Sequence, residues 1–169
     1  MMKLHTHVLL LVLCLSSPGF GAEINIVALG ASNTYGKTVA RGHDYPAQLQ
    51  AMLRAKGYDA RVTNAGINGD TTAGMAARLD SAVPAGTRIV ILQPGGNDRR
   101  KGAAASTGGN VATIVSRLNA RGIKVIMLER PLAGMAEALR HPDGQHLSAE
   151  GYRTLAARVL PQVTAEIGR

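Results

Sequence analysis

Hydrophobic and polar positions along this chain fall into two alternating periods. Nearly continuous apolar, β-branched runs occur at Ile24–Leu29, Arg88–Leu92 and Lys124–Leu128, with a shorter one at Ala60-Arg61-Val62. Runs that are apolar at nearly every position suit parallel strands covered on both faces, where the inward and outward side chains both meet helices. Between them the period lengthens to that of a helix. Asp44 can cap a helix with Pro46 in its first turn, carrying Tyr45, Leu49, Met52 and Leu53 on one face and stopping at Gly57. Met75, Leu79 and Val83 mark a second helix. Asn110 can cap a third, with Val111, Ile114, Val115 and Leu118 inward and Gly122 ending it. Ser148 can cap the last, which carries Tyr152, Leu155, Val159 and Val163 and should kink at Pro161. Arg99 to Gly109 reads as a loop, and Arg130 to Pro142 shows no clear fifth strand. This alternation predicts a three-layer α/β/α sheet with right-handed crossovers.

The first 22 residues fall outside that pattern. Lys3 precedes the apolar run Val8–Leu15, followed by Ser, Pro and Gly and then by Gly19-Phe20-Gly21-Ala22. A basic start, a short apolar core and small residues before a cut describe a secretory signal peptide, too short to span a bilayer as a helix. Cleavage near Ala22 leaves residues 23–169, expected to form one domain with no stable membrane span, in the periplasm or outside the cell. Cys14, the one cysteine, leaves with the signal, which excludes disulfide and thiol chemistry from the mature protein.

The formal net charge is +8 at pH 7, with one Phe, no Trp and four Tyr. The cations are scattered, and a nucleic-acid module usually adds stacking aromatics or a basic stripe, so no nucleic-acid partner is expected. A basic surface of this kind remains compatible with anionic small molecules or lipid. The run Arg99-Arg100-Lys101 either draws anionic substrates or is a solvated loop.

Ligands of open parallel sheets bind beyond the carboxyl ends of the strands, and this chain places its polar segments there. Ser32 follows the first strand, Gly69 lies a few residues past the second, Asn97 follows the third, and Asp143 and His146 precede the final helix. A serine hydroxyl needs a positioned base to become a nucleophile, and imidazole suits that task. Of His43, His141 and His146, only His146 has a carboxylate three residues before it, and an Asp-x-x-His turn can hold the ring with Nε2 facing the serine. The Ser32 and Gly69 backbone N–H groups and the Asn97 amide could receive the oxyanion, each such donor being worth about 3–4 kcal/mol in the transition state. Neither His43 nor His141 has a ligand cluster around it, so no metal and no cofactor is expected.

Four segments together resemble the sequence blocks of the SGNH (GDSL-like) hydrolase superfamily, the group containing bacterial acyl-thioesterase/lysophospholipase enzymes and many carbohydrate esterases. Leu29–Gly36 resembles the first block, with Ser32 at the nucleophile's position. Asn64–Thr71 resembles the second, with Gly69 at its oxyanion glycine. Gly95-Gly96-Asn97-Asp98 resembles the third, with Asn97 at its oxyanion asparagine, and Asp143-Gly144-Gln145-His146 resembles the last, with the acid and base of the triad. Tyr45-Pro46 followed by Leu49 is similar to the family's first helix. The resemblance implies a flavodoxin-like fold with a short, four- to five-stranded parallel sheet. It also implies a serine esterase that cleaves small acyl esters or thioesters, anionic and lipid-like ones among the candidates, through an acyl-enzyme on Ser32. Three departures stand out. Ala31 replaces the usual aspartate, Leu147 replaces a frequent proline, and the interval from Asn97 to Asp143 is short.

Two other readings compete. Ala31 to Thr38 fits a relaxed phosphate-binding loop, but Gly42 and Pro46 disfavour a helix running on from Lys37, and no strand ends in the aspartate that Mg²⁺ requires. The second is a catalytically silent protein of the same fold that binds acylated or anionic glycans. Acyl chain length, leaving group and oligomeric state are not legible in the sequence.

Overall fold

The computed structural model describes residues 23–168, so the expected signal peptide lies outside the described residues. Four strands form one parallel sheet: β1 (Ile24–Gly30), β2 (Ala60–Gly66), β3 (Thr87–Gln93) and β4 (Lys124–Met127), in the order β2-β1-β3-β4. β1 is central. It runs in continuous register with β2 from Ile24 opposite Ala60 to Gly30 opposite Gly66, and it pairs on its other side with β3, with an irregularity between Asn25 and Ile26. The chain leaves β1 for β2 on one side and returns to β3 on the other, so a crevice opens at the carboxyl ends of β1 and β3.

Alternation along each strand divides the core in two. Ile26 and Ala28 of β1, Ile89 and Ile91 of β3 and Ile126 of β4 pack on one face, together with Tyr45, Leu49 and Leu53 of α2 (Tyr45–Ala55). The long C-terminal helix (Ala149–Ile167) lies on the same face through Tyr152, Leu155, Val159 and Val163, all fully buried. Val27, Leu29, Val90 and Leu92 point the other way, onto Met75, Leu79, Val83, Ile114 and Leu118. The sheet is therefore covered on both faces, which explains why Ile26–Leu29 of β1 and Ile89–Leu92 of β3 are apolar at every position. Asp44 caps α2 by accepting from the Ala47 N–H at 3.2 Å, and Ser148 caps the C-terminal helix by accepting from the Gly151 N–H at 3.1 Å.

The helices between these two depart from the sequence pattern in instructive ways. α1 is a four-residue turn, Ser32–Tyr35. The segment with Met75, Leu79 and Val83 forms two short helices rather than one, α3 (Thr72–Ala77) and α4 (Leu79–Ala82), meeting at Arg78. Residues 99–109 are not an open loop: the end of α5 (Asn97–Arg100), a 3₁₀ turn (Ala104–Ser106) and the start of the next helix fill most of the span. α6 begins at Thr107 and runs to Ala120. Asn110 is thus inside this helix, not its cap, and its side-chain amide donates to Thr72 Oγ1 at 3.0 Å, tying α6 to α3. After β4 come a single turn, α7 (Glu129–Leu132), a 3₁₀ turn (Glu137–Leu139) and α8, the C-terminal helix already described, which continues through Pro161. No fifth strand occurs among the described residues. No helix among them is long and apolar enough to cross a membrane.

Candidate active site

Ser32 is placed by the abrupt end of β1. Gly30 is opposite Gln93 in the register, and a Cβ at Gly30 would collide with Thr34 Oγ1 and the Gln93 side chain. Gln93 Oε1 accepts from the Ala31 N–H at 3.0 Å and from the Thr34 hydroxyl at 3.1 Å. One buried amide oxygen thereby fixes the residue before the serine and the residue two after it. The turn packs on the end of β2 so closely that a Cβ at Gly66 would strike the backbone of Tyr35. Ser32 is the first residue of α1, where backbone N–H groups have no partner within the helix.

His146 approaches from the opposite side on a closed loop. The Arg140–Leu147 bridge and the bond from the His141 N–H to the His146 carbonyl at 2.9 Å join its two ends, and Gly144 takes the positive φ of 68° that the tip requires. Asp143 organises the interior. Its Oδ1 accepts from the Gln145 N–H at 2.9 Å and the His146 N–H at 3.0 Å, while Oδ2 lies 2.6 Å from His146 Nδ1. These hydrogen bonds, the one from the imidazole first, hold the Asp143 carboxyl well below the usual carboxylate range. Behind the loop, the Thr38 hydroxyl donates to the Leu147 carbonyl at 2.6 Å and the Tyr152 hydroxyl donates to Asn33 Oδ1 at 3.3 Å. Burial pushes the Tyr152 phenol up to about 12, so it stays a donor.

The buried His146 ring thus spans two partners, Asp143 on Nδ1 and Ser32 on Nε2, with 2.9 Å from Nε2 to the serine Oγ. With Nδ1–H directed at the carboxylate, Nε2 is free to accept the hydroxyl proton. Chemically, this arrangement can activate an alcohol at the mouth of a crevice.

Asn97 faces the same opening from the end of β3. Its Nδ2 donates to the Asp70 carbonyl at 2.7 Å and its Oδ1 accepts from Arg100 Nη2 at 2.6 Å, which fixes the amide's orientation and leaves one N–H of Nδ2 unassigned. Asp98, buried beside it, accepts from the Thr72 N–H and from the Thr72 hydroxyl at 2.6 Å. Gly69 sits in a turn with φ of 75°, and its carbonyl accepts from Lys101 Nζ at 2.8 Å. A cavity of about 280 Å³ is lined by Ser32, Asn97 and His146 among others; Gly69 is not among its lining residues and adjoins the site through Asp70. Among the described residues no cluster of three or more His, Cys, Asp or Glu could hold a metal ion.

A model of the GDSL-like Lipase/Acylhydrolase family matches residues 28–166, which takes in all four polar segments. The chain belongs to this family. It is 36% identical over 112 residues to Esterase TesA of Pseudomonas aeruginosa, a match covering 63% of this chain and 54% of TesA, so the chain spans about half the length of that curated relative. Among solved structures it resembles AlinE4, an SGNH-hydrolase family esterase, at 34% identity and a TM-score of 0.59 over 63% of this chain and 59% of AlinE4. A crystal structure of TesA superposes with a TM-score of 0.75 at 24% identity, covering 84% and 99% of the two chains, and shows the shared fold. The SGNH resemblance and the parallel α/β sheet expected from the sequence both hold.

Within this GDSL-like frame, the structure brings Ser32, Asp143, His146 and Asn97 together. Two participants, Gln93 and Arg78, were not singled out from the sequence, and a third, His141, was assigned no role. Gln93 stabilises the serine turn, and its one sequence signal is a polar residue closing an otherwise apolar run. Arg78 pairs with Asp70 at 2.8 Å and donates to the carbonyls of Ala65 at 2.8 Å and Gly30 at 3.3 Å, stapling the loop after β2 to two strand ends. His141, set aside in the sequence as having no ligand cluster, lies on the loop that carries His146, and its Nδ1 accepts from the Asp143 N–H at 3.3 Å. Ala31, in place of the family's aspartate, is buried and holds its turn through backbone groups: its N–H donates to Gln93 and its carbonyl accepts from the Thr34 and Tyr35 N–H groups at 3.1 Å and 2.9 Å.

Proposed function

We propose that the protein is a serine esterase of the SGNH type acting on small acyl esters or thioesters. The observation that carries this reading is the continuous hydrogen-bonded chain Asp143–His146–Ser32, with 2.6 Å and 2.9 Å between its members. Ser32 Oγ attacks the acyl carbonyl as His146 Nε2 takes its proton. The resulting oxyanion is received by the N–H groups of Ser32 and Gly69 and by Asn97 Nδ2. Collapse breaks the bond to the alcohol or thiol, which leaves with the proton held by His146. Water then attacks the acyl-enzyme, giving its proton to His146, and release of the acid returns that proton to Ser32. Asp143 keeps the imidazole in the required tautomer throughout. The proposal includes residues 23–169 as one esterase domain, delivered to the periplasm or beyond after removal of residues 1–22.

Labelling with a fluorophosphonate probe tests it. The probe should modify Ser32, and Ser32→Ala should lose both labelling and p-nitrophenyl ester hydrolysis while keeping its thermal transition. Modification of another serine, or full turnover by the variant, would return the site to a binding role.

A further inference from the structure

Resting on the esterase reading, we infer that Arg100 and Arg140 form a guanidinium pair that selects esters carrying an anionic group, a carboxylate or a phosphate, near the scissile bond. Both residues line the same cavity of about 280 Å³ as Ser32 and His146. They reach it from opposite directions: Arg100 ends α5, after β3, and Arg140 begins the loop that carries His146. Of the basic run 99–101, only Arg100 lines the cavity, although like Arg99 it is exposed to solvent, and Lys101 is engaged by the Gly69 carbonyl.

Among the described residues, neither guanidinium makes an ion pair with a carboxylate. The three acids around the site are committed elsewhere: Asp143 to His146, Asp70 to Arg78, and Asp98 to Thr72. Glu137 lines an adjoining cavity with Arg140, also without an ion pair. Arg100 spends one nitrogen on Asn97 Oδ1, and no hydrogen bond engages the half-buried Arg140 side chain. Two like charges facing one small opening repel each other, and an anion between them relieves that repulsion. The planar fork of each guanidinium also suits two-point contact with carboxylate or phosphate oxygens. On the substrate, the anion must lie within the reach of this cavity from the carbonyl that Ser32 attacks.

The test compares esters matched in size: mono-p-nitrophenyl glutarate against p-nitrophenyl valerate, and a 1-acylglycerol 3-phosphate against the corresponding monoacylglycerol. The quantity read is the ratio of kcat/KM for the charged member to that for the neutral one. Arg140→Gln should lower this ratio by about tenfold, the loss of one charge-assisted hydrogen bond. Raised salt should lower the wild-type ratio and leave that of Arg140→Gln nearly flat. A fall confined to the glutarate pair assigns the site to soluble carboxylates, and one confined to the glycerol pair assigns it to lipid phosphates. An unchanged ratio in both pairs overturns the inference. A second measurement does not depend on turnover: calorimetric titration of monomethyl glutarate into Ser32→Ala and into Ser32→Ala/Arg140→Gln. Binding lost with Arg140 supports the pair even if no ester is hydrolysed, in which case the esterase reading alone falls. Equal binding to both proteins, or to neither, overturns the pair.

Discussion

His146 Nε2 lies 2.9 Å from Ser32 Oγ across 114 positions of sequence. Nothing local brings them together: the serine is set by the end of β1 and the histidine by a loop anchored on α8. Their meeting is a property of the sheet order, because β1 is central and the loop before α8 folds over its carboxyl end.

Residues that act as one unit lose function together. Ser32→Ala and His146→Ala should each reduce kcat for a p-nitrophenyl ester by a similar, large factor, on the order of 10⁴ or more, and the double variant should be little slower than either. Steady-state kinetics on the three proteins decides this. A double variant slower by the product of the two factors would separate the residues mechanistically.

Asp143 gives a pH signature in stability. Its carboxyl is held below the usual range in the native state, foremost by the His146 ring, whereas in the unfolded chain it titrates near about 3.9. Between those two values the unfolded state binds more protons, so the native advantage is complete above the unfolded value and is lost as pH falls toward the native one. The stability difference between wild type and Asp143→Asn should therefore be constant from about pH 7 to pH 5 and shrink below about pH 4. Urea unfolding across this range measures it. A difference that grows as pH falls would mean that the carboxylate does not have the bonded role seen here.

The sheet was legible because its two middle strands are buried on both faces, leaving Ile26–Leu29 and Ile89–Leu92 apolar at every position. The caps at Asp44 and Ser148 were legible for a local reason, since each bonds a backbone N–H three residues on. The four polar segments were legible too, because each directly follows a strand or precedes a helix. What escaped depends on distant partners. The break at Arg78 accompanies bonds to Gly30 and Ala65, 48 and 13 residues away, which no helical period encodes. Asn110 looked like a cap because its acceptor, Thr72, lies 38 residues back. β2 extends beyond the apolar triplet to Gly66 because its polar half is held by backbone pairing with β1.

Arg78 should matter to both stability and rate. It is largely buried, and replacing it by Met leaves the Asp70 carboxylate and two strand-end carbonyls without their donor. Breaking such a pair from one side costs about 3 kcal/mol, or roughly 6–12 °C in Tm for a chain of this size. Calorimetry on Arg78→Met, and on Arg78→Met/Asp70→Asn, checks it. The double variant should recover part of the loss, because the orphaned carboxylate is gone. No recovery would mean that the carbonyl bonds, not the ion pair, carry the staple.

Asn97 separates transition-state stabilisation from binding. Its amide is locked by Asp70 on one side and Arg100 on the other, so the unassigned N–H of Nδ2 cannot swing to a substitute orientation. An aligned donor costs no reorganisation as charge develops, and removing one typically lowers kcat by about 10²–10³. Asn97→Ala should show that loss with KM for a neutral ester nearly unchanged, since the interaction strengthens only as the carbonyl oxygen becomes an oxyanion. The same substitution also removes the bond to the Asp70 carbonyl, so a fall in Tm is expected and must be measured beside the rate. Asn97→Asp also loses the bond to the Asp70 carbonyl, and adds a charge at the oxyanion's position. It keeps the side chain's shape but places a carboxylate where the oxyanion develops, so its kcat should fall at least as far as that of the alanine variant. If Asn97→Asp retained most of the wild-type kcat, the amide would not be an oxyanion donor.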